Sequence, residues 1–236
     1  MGRLDKRQFA MIENYMLGQM RDSAHDCQHV YRVLYLAMDI AQGEGADGDI
    51  LIAAALLHDV GRSKQFANPA LCHAVEGGKM AFEFLLQKGW EPGRAEYVQD
   101  CIVSHRYRTN HQPGSIEAKI LFDADKLEAT GAMGIARTIL YKGQVNQPLY
   151  SVDEAGRVLD GTEREPFSFF QEYQYKLKHV YDKFYTVRGR ELAEQRRAIA
   201  VAFYDGLLDE VIRPRQFGQE QLALMLTDSE MLRDAH

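Results

Sequence analysis

The sequence predicts an all-α fold. Apolar residues recur at helical spacing along most of the chain, and convincing alternating strand runs are missing. All six prolines lie at or after position 69, so the first 68 residues carry no proline break. Residues 4–20 read as a helix, with Phe9, Ile12, Met16 and Met20 near helical spacing. Asp22 and Ser23 are caps for a second helix, which runs to about Gln42 and stops at Gly43 and Gly45. Asp47 or Asp49 caps a third helix through His58, stopped by Gly61. Asn68-Pro69 reads as a cap with proline at the first helical position, opening a helix to about Lys88 that Gly89 closes. Gly93 to about Tyr107 gives another, and residues 115–141 a long helical stretch interrupted by Gly131 and Gly134. Residues 142–167 lose periodicity and gather Gly143, Pro148, Gly156, Gly161 and Pro166, which reads as a long surface loop with a short hairpin at Asp160-Gly161. Helical pattern returns over 168–183 and 187–212, with a short terminal helix over 215–233.

These elements read as a single domain over 1–236, with a core of about 22–141, the loop 142–167 and a helical extension over 168–236. Lys and Arg total 28 against 34 Asp and Glu, a net charge of −6 that argues against bulk nucleic-acid binding. The longest apolar run is Ile50–Leu57, far short of the roughly 20 residues of a membrane span. The first residues carry charge without a following apolar stretch, so no secretory signal is expected. Three widely spaced cysteines, Cys27, Cys72 and Cys101, form no C-x-x-C pair and fit reduced thiols in a cytoplasmic protein.

Five histidines, His25, His29, His58, His73 and His105, fall on predicted helices within the first 110 residues. Val33, Leu36, Ala37 and Ile40 follow His29 at +4, +7, +8 and +11, so His29 lies on the buried stripe. Leu51, Ala54 and Leu57 place His58 at the end of an apolar face, beside Asp59. Leu121, Ala129, Ala132 and Ala136 put Asp125 on an inward face, where an unpaired carboxylate would be costly. A lone inward histidine is commonly a hydrogen-bonded core residue, and a lone buried aspartate a cap or an arginine partner. Two of each on three helices are better explained by a cation between them.

His29, His58-Asp59 and Asp125 resemble the H…HD…D signature of the HD superfamily of metal-dependent phosphohydrolases. The surroundings agree: His29-Val-Tyr-Arg-Val-Leu, Ala55-Leu-Leu-His-Asp-Val-Gly-Arg and Asp123-Ala-Asp-Lys-Leu-Glu-Ala-Thr-Gly. The stretch beginning Phe184-Tyr-Thr-Val-Arg-Gly-Arg is similar to the C-terminal part of small stand-alone bacterial members. The resemblance implies an HD-domain helical bundle with His29, His58, Asp59 and Asp125 as ligands of a divalent metal. Mixed nitrogen and oxygen ligation leaves Mn, Mg, Fe, Co, Ni and Zn all open. It also implies catalytic roles for Asp59 and Arg62, the latter on a phosphate.

His73 and His105 are candidates for a second metal or for substrate contact, and Lys64 and Lys126 for phosphate contact. The Gly-Tyr-Pro block of the cyclic-dinucleotide subclass is absent. His25 reads as a surface neighbour, and Cys72 and Cys101 as packing residues. Residues 176–197 carry seven bases against three acids and could offer cations to a nucleotide's phosphates. Phe167, Phe169, Phe170, Tyr173 and Tyr175 cluster just before them, as core or as one ring for a base. The implied activity is phosphoester or phosphoanhydride hydrolysis of a phosphorylated small molecule, a nucleotide first. The alternatives are a binuclear phosphodiesterase and a metal-bound nucleotide sensor without turnover.

Overall fold

The computed structural model describes residues 4–20, 27–106, 111–163 and 167–233, with side chains to 226. The described residues are all-α, as the sequence predicts, and contain one isolated antiparallel bridge, Val152 to Val158. Among them no helix is long and apolar enough to cross a membrane. The caps expected at Asp22 and Ser23, and His25, lie outside these residues.

The chain forms two compact units. The first comprises Met1–Ala129 with Asp182–Glu194. It holds α1 (Lys6–Gln19), α2 (Cys27–Ile40), α3 (Gly48–Leu57), α4 (Arg62–Ala67), α5 (His73–Gln87), α6 (Pro92–Ser104) and α7 (Ile116–Leu127). At its centre is α3, in which Ile50, Leu51 and every residue from Ala53 to Leu57 are fully buried. A helix apolar on all sides must be covered on all sides, and α1, α2, α5, α6 and α7 all pack on it. Each large aliphatic side chain buried here contributes about 1.5–3 kcal/mol. Asp47 fixes where α3 begins: its carboxylate accepts the Asp49 and Ile50 N–H groups and takes the Arg94 guanidinium at 2.7 Å. α3 therefore delivers His58 and Asp59 from its C-terminal end into the interior.

The next turn departs from the expected pattern. Asn68 does not cap a helix starting at Pro69; its side chain accepts the Ala70 N–H, closing a turn. The short α4 lies before that turn, and α5 starts four residues late, with His73 as its first residue. Gly61 is required here. A Cβ on it would lie 2.2 Å from the His73 carbonyl oxygen and 2.5 Å from the Gly77 nitrogen. The absent side chain lets the segment after Asp59 press directly on the start of α5.

The stretch 115–141 is two helices. α7 ends at Leu127, and α8 (Gly131–Gln144) opens on Gly131 at φ +58°. Asp125 therefore keeps Leu121 on its face, while Ala132 and Ala136 lie beyond the break and are exposed.

The second unit comprises Thr130–Tyr181 with Gln195–His236. Its elements are α8, α9 (Phe169–Tyr175), a 3-10 turn over Leu177–Asp182, and most of α10 (Val187–Arg233). Phe169, Phe170 and Tyr173 are buried, and Tyr173 stacks on Tyr204 at 4.0 Å, so most of the aromatic cluster is core. Phe167 and Tyr175 are exposed. The loop holds its hairpin earlier than expected. Asp153 accepts from the Arg157 backbone and guanidinium and closes the turn between the bridged Val152 and Val158. Pro214 does not separate two helices; α10 continues through it, although proline deletes one backbone bond there.

Candidate metal centre

The histidines and aspartates singled out in the sequence converge within the first unit. His29 comes from the first turn of α2, and His58 and Asp59 from the end of α3. His73 opens α5, His105 closes α6, and Asp125 lies in the last turn of α7. Two groups result: His29, His58 and Asp125, and Asp59, His73 and His105. Asp59 joins them. Its Oδ2 lies 3.6 Å from Nε2 of both His29 and His58. Its Oδ1 lies 3.6 Å from His73 Nε2 and 3.9 Å from His105 Nε2. His29 Nε2 is also 3.4 Å from Asp125 Oδ1.

The far nitrogen of each ring fixes its tautomer. His58 Nδ1 lies 2.8 Å from the Ala55 carbonyl and His105 Nδ1 2.5 Å from that of Ile102. His73 Nδ1 is 2.7 Å from Gln65 Oε1, and His29 Nδ1 is 3.1 Å from Glu128 Oε2. Each acceptor requires the proton on Nδ1, which turns the Nε2 lone pair toward Asp59.

This arrangement fits a divalent cation. His58 Nε2, His73 Nε2 and Asp59 Oδ1 are buried without a hydrogen-bond partner, which is costly unless a ligand meets them. The spacings of 3.6 Å and 3.9 Å around Asp59 are too long for hydrogen bonds. They match two donors on one ion at about 2.0–2.2 Å each. Imidazole and carboxylate together suit a first-row divalent metal.

The electrostatics agree. Burial opposes the charged form of Asp59, but Arg62, His58 and His29 outweigh it and hold the carboxyl well below its ordinary range. Burial and the Arg62 charge push His73 down to about 3, and burial with His58 pushes His105 down to about 4. Burial also lowers His58. His29 differs: burial acts downward, yet Asp125 and Glu128 raise it above the usual histidine value.

Arg62 belongs to the centre, with Nε 2.9 Å from Asp59 Oδ2 and a side chain 31% exposed. Lys126 stands at the edge, 3.9 Å from Asp125 Oδ2 and over the Phe122 ring. Lys64 turns away and donates to Glu76 at 3.2 Å on the surface. Neither Cys72 nor Cys101 joins the two groups. Cys72 accepts from Arg106, and Cys101 is buried 3.8 Å from Ser115 Oγ.

Several bases of the segment 176–197 have partners within their own unit. In the first unit Arg188 pairs with Asp39, and Arg190 donates to the Phe184 carbonyl. In the second, Lys176 pairs with Glu172, and Arg197 covers the Tyr181 ring.

Sequence reasoning missed Glu128. Its Oε2 accepts from both His29 and Arg32, and the pair holds its carboxyl at about 2 against the pull of burial. The signal was present: Glu128 follows Asp125 by three residues, and Arg32 follows His29 by three.

The HD domain family matches residues 27–130. YpgQ of Bacillus subtilis is 32% identical over 185 residues, covering 77% of this chain and 82% of YpgQ. This chain belongs to the HD superfamily. It resembles the small stand-alone members, the HD-superfamily hydrolases. One of these, from Bacillus thuringiensis, superposes with a TM-score of 0.67 at 28% identity, covering 87% of this chain and 97% of that one. A crystal structure of YpgQ in complex with ADP superposes with a TM-score of 0.68 at 29% identity, covering 88% and 96%. A Lactobacillus plantarum protein gives 0.69 at 27% identity, covering 87% and 97%.

Proposed function

We propose that this HD-superfamily protein is a metal-dependent phosphohydrolase that cleaves nucleotides at a phosphoester or phosphoanhydride bond. The observation that carries the reading is the convergence of His29, His58, Asp59 and Asp125, with His58 Nε2 and Asp59 Oδ1 buried without a hydrogen-bond partner. These four residues would hold the ion. When bound, a divalent metal lowers the pKa of coordinated water and neutralises charge on a phosphoryl oxygen. Arg62, anchored on Asp59 and partly exposed, places a guanidinium where phosphoryl charge develops. Lys126 adds a second cation beside Asp125. The ADP-bound YpgQ structure supports a nucleotide as substrate. The free cysteines fit action in the cytoplasm on small phosphorylated molecules.

A second reading has its own observation. The two oxygens of Asp59 face different histidine pairs, so Asp59, His73 and His105 could hold a second ion, with Asp59 shared. Two ions bridged in this way suit a phosphodiesterase.

One experiment separates these readings. Purified protein is analysed for metals, then screened with added metal against nucleoside mono-, di- and triphosphates, with phosphate and pyrophosphate measured separately. The proposal expects about one divalent ion per chain, lost in His58→Ala and Asp59→Ala, and turnover of at least one nucleotide. Two ions, with one lost in His73→Ala and His105→Ala, favour the second reading. Tight nucleotide binding without turnover overturns the enzyme in favour of a sensor, and absence of metal overturns the centre.

A further inference from the structure

α4 carries three side chains with different tasks. Arg62 pairs with Asp59 at the centre, and Gln65 Oε1 accepts a hydrogen bond from His73 Nδ1–H. Phe66 is 80% exposed, more than any other large apolar side chain among the described residues. Arg62, Gln65, Phe66 and Pro69 line one open cavity of about 300 Å³. Its lining therefore combines one cation, one amide, an aromatic ring and a proline. Arg62 and Phe66 are four residues apart on the helix, which places their Cβ atoms about 5–6 Å from each other. A nucleotide joins its base to its first phosphate through one ribose, a span of the same order. A solvent-facing phenyl ring beside a polar site is the surface on which a flat heterocycle stacks.

We propose that Phe66 is the base-stacking wall of the substrate site, with Pro69 as its edge. The cavity takes the purine or pyrimidine ring of a nucleotide whose phosphates lie against Arg62. The inference rests on the nucleotide reading above and adds a specificity to it. Stacking uses the π-face that every base has, so the site accepts all bases with little discrimination.

The test is calorimetric titration of the whole protein, in Mn²⁺, with ADP, with CDP and with inorganic tripolyphosphate. The native protein, Phe66→Ala and Phe66→Trp are compared. Phe66 contributes nothing to the core, so these variants fold. Phe66→Ala is expected to weaken ADP and CDP about tenfold, and Phe66→Trp to restore them. Tripolyphosphate, which has no base, is expected to change by less than about twofold. Unchanged ADP binding in Phe66→Ala, with tripolyphosphate still bound, overturns the stacking wall and leaves the phosphohydrolase reading intact. Equal losses for ADP and tripolyphosphate overturn it as well. If the native protein binds neither ligand, the nucleotide reading fails first and the inference falls with it.

Discussion

Glu128 Oε2 lies 3.1 Å from His29 Nδ1 and 2.9 Å from Arg32 Nε. A carboxylate behind a ligating imidazole fixes its tautomer and raises its basicity. Glu128→Gln is expected to weaken metal binding about 10- to 100-fold. Arg32→Ala leaves the His29 contact in place and is expected to weaken it less. Metal titration by calorimetry checks both. Equal affinity in Glu128→Gln and the native protein would reduce Glu128 to a structural partner of Arg32.

Metal binding should also release a proton. In the metal-free protein His29 titrates above the usual histidine value, because Asp125 and Glu128 outweigh the downward effect of burial. An ion needs a bare Nε2, so affinity falls as pH drops through that raised pKa. His73 and His105, at about 3 and about 4, stay neutral across this window and add no such cost. Calorimetry in buffers of different ionisation enthalpy should show proton release on metal binding that grows as pH falls through the raised His29 pKa. A value near zero would mean that the ion does not rest on His29.

Gly61→Ala drives a methyl group into the backbone of His73 and Gly77. Neither neighbour is a flexible side-chain tip, so the segment must shift. The expected loss is about 1–3 kcal/mol of stability, read by urea denaturation. Wild-type stability in this variant would show that the close approach is relaxed in solution.

Asp123 is fully buried and accepts the Tyr185 and Thr186 N–H groups and the Thr186 hydroxyl, at 2.9, 2.7 and 2.7 Å. Asp123→Ala leaves those donors unmet, at about 1–3 kcal/mol. Amide exchange around residues 185–189 should accelerate more than at α3. Uniform exchange across both segments would argue against a local clasp.

The sequence shows most of the candidate centre because its candidate ligands sit on helices with clear apolar faces. His29 is legible from the stripe Val33, Ala37 and Ile40, and His58 from the apolar run before it. What stayed hidden depends on distant contacts. Glu128 gains its role only when α2 and α7 meet, 96 to 99 residues apart in sequence. Asn68 has the residue type of a helix cap, but its side chain closes a turn, which moved the start of α5 and exposed α4 as an element. Pro214 looks like a stop, yet helix-forming residues on both sides carry α10 through it.

The Asp123 clasp also bears on the order of events during synthesis. The first unit is discontinuous: residues up to Ala129 are completed by Asp182–Glu194. A ribosome releases all the candidate ligands, His29 through Asp125, well before Tyr185 and Thr186 emerge to meet Asp123. For some 60 residues of elongation the Asp123 carboxylate therefore lacks the backbone donors that meet it in the complete chain. At about 5–20 residues per second this window lasts seconds. All the candidate ligands are thus made before the downstream segment that closes over Asp123.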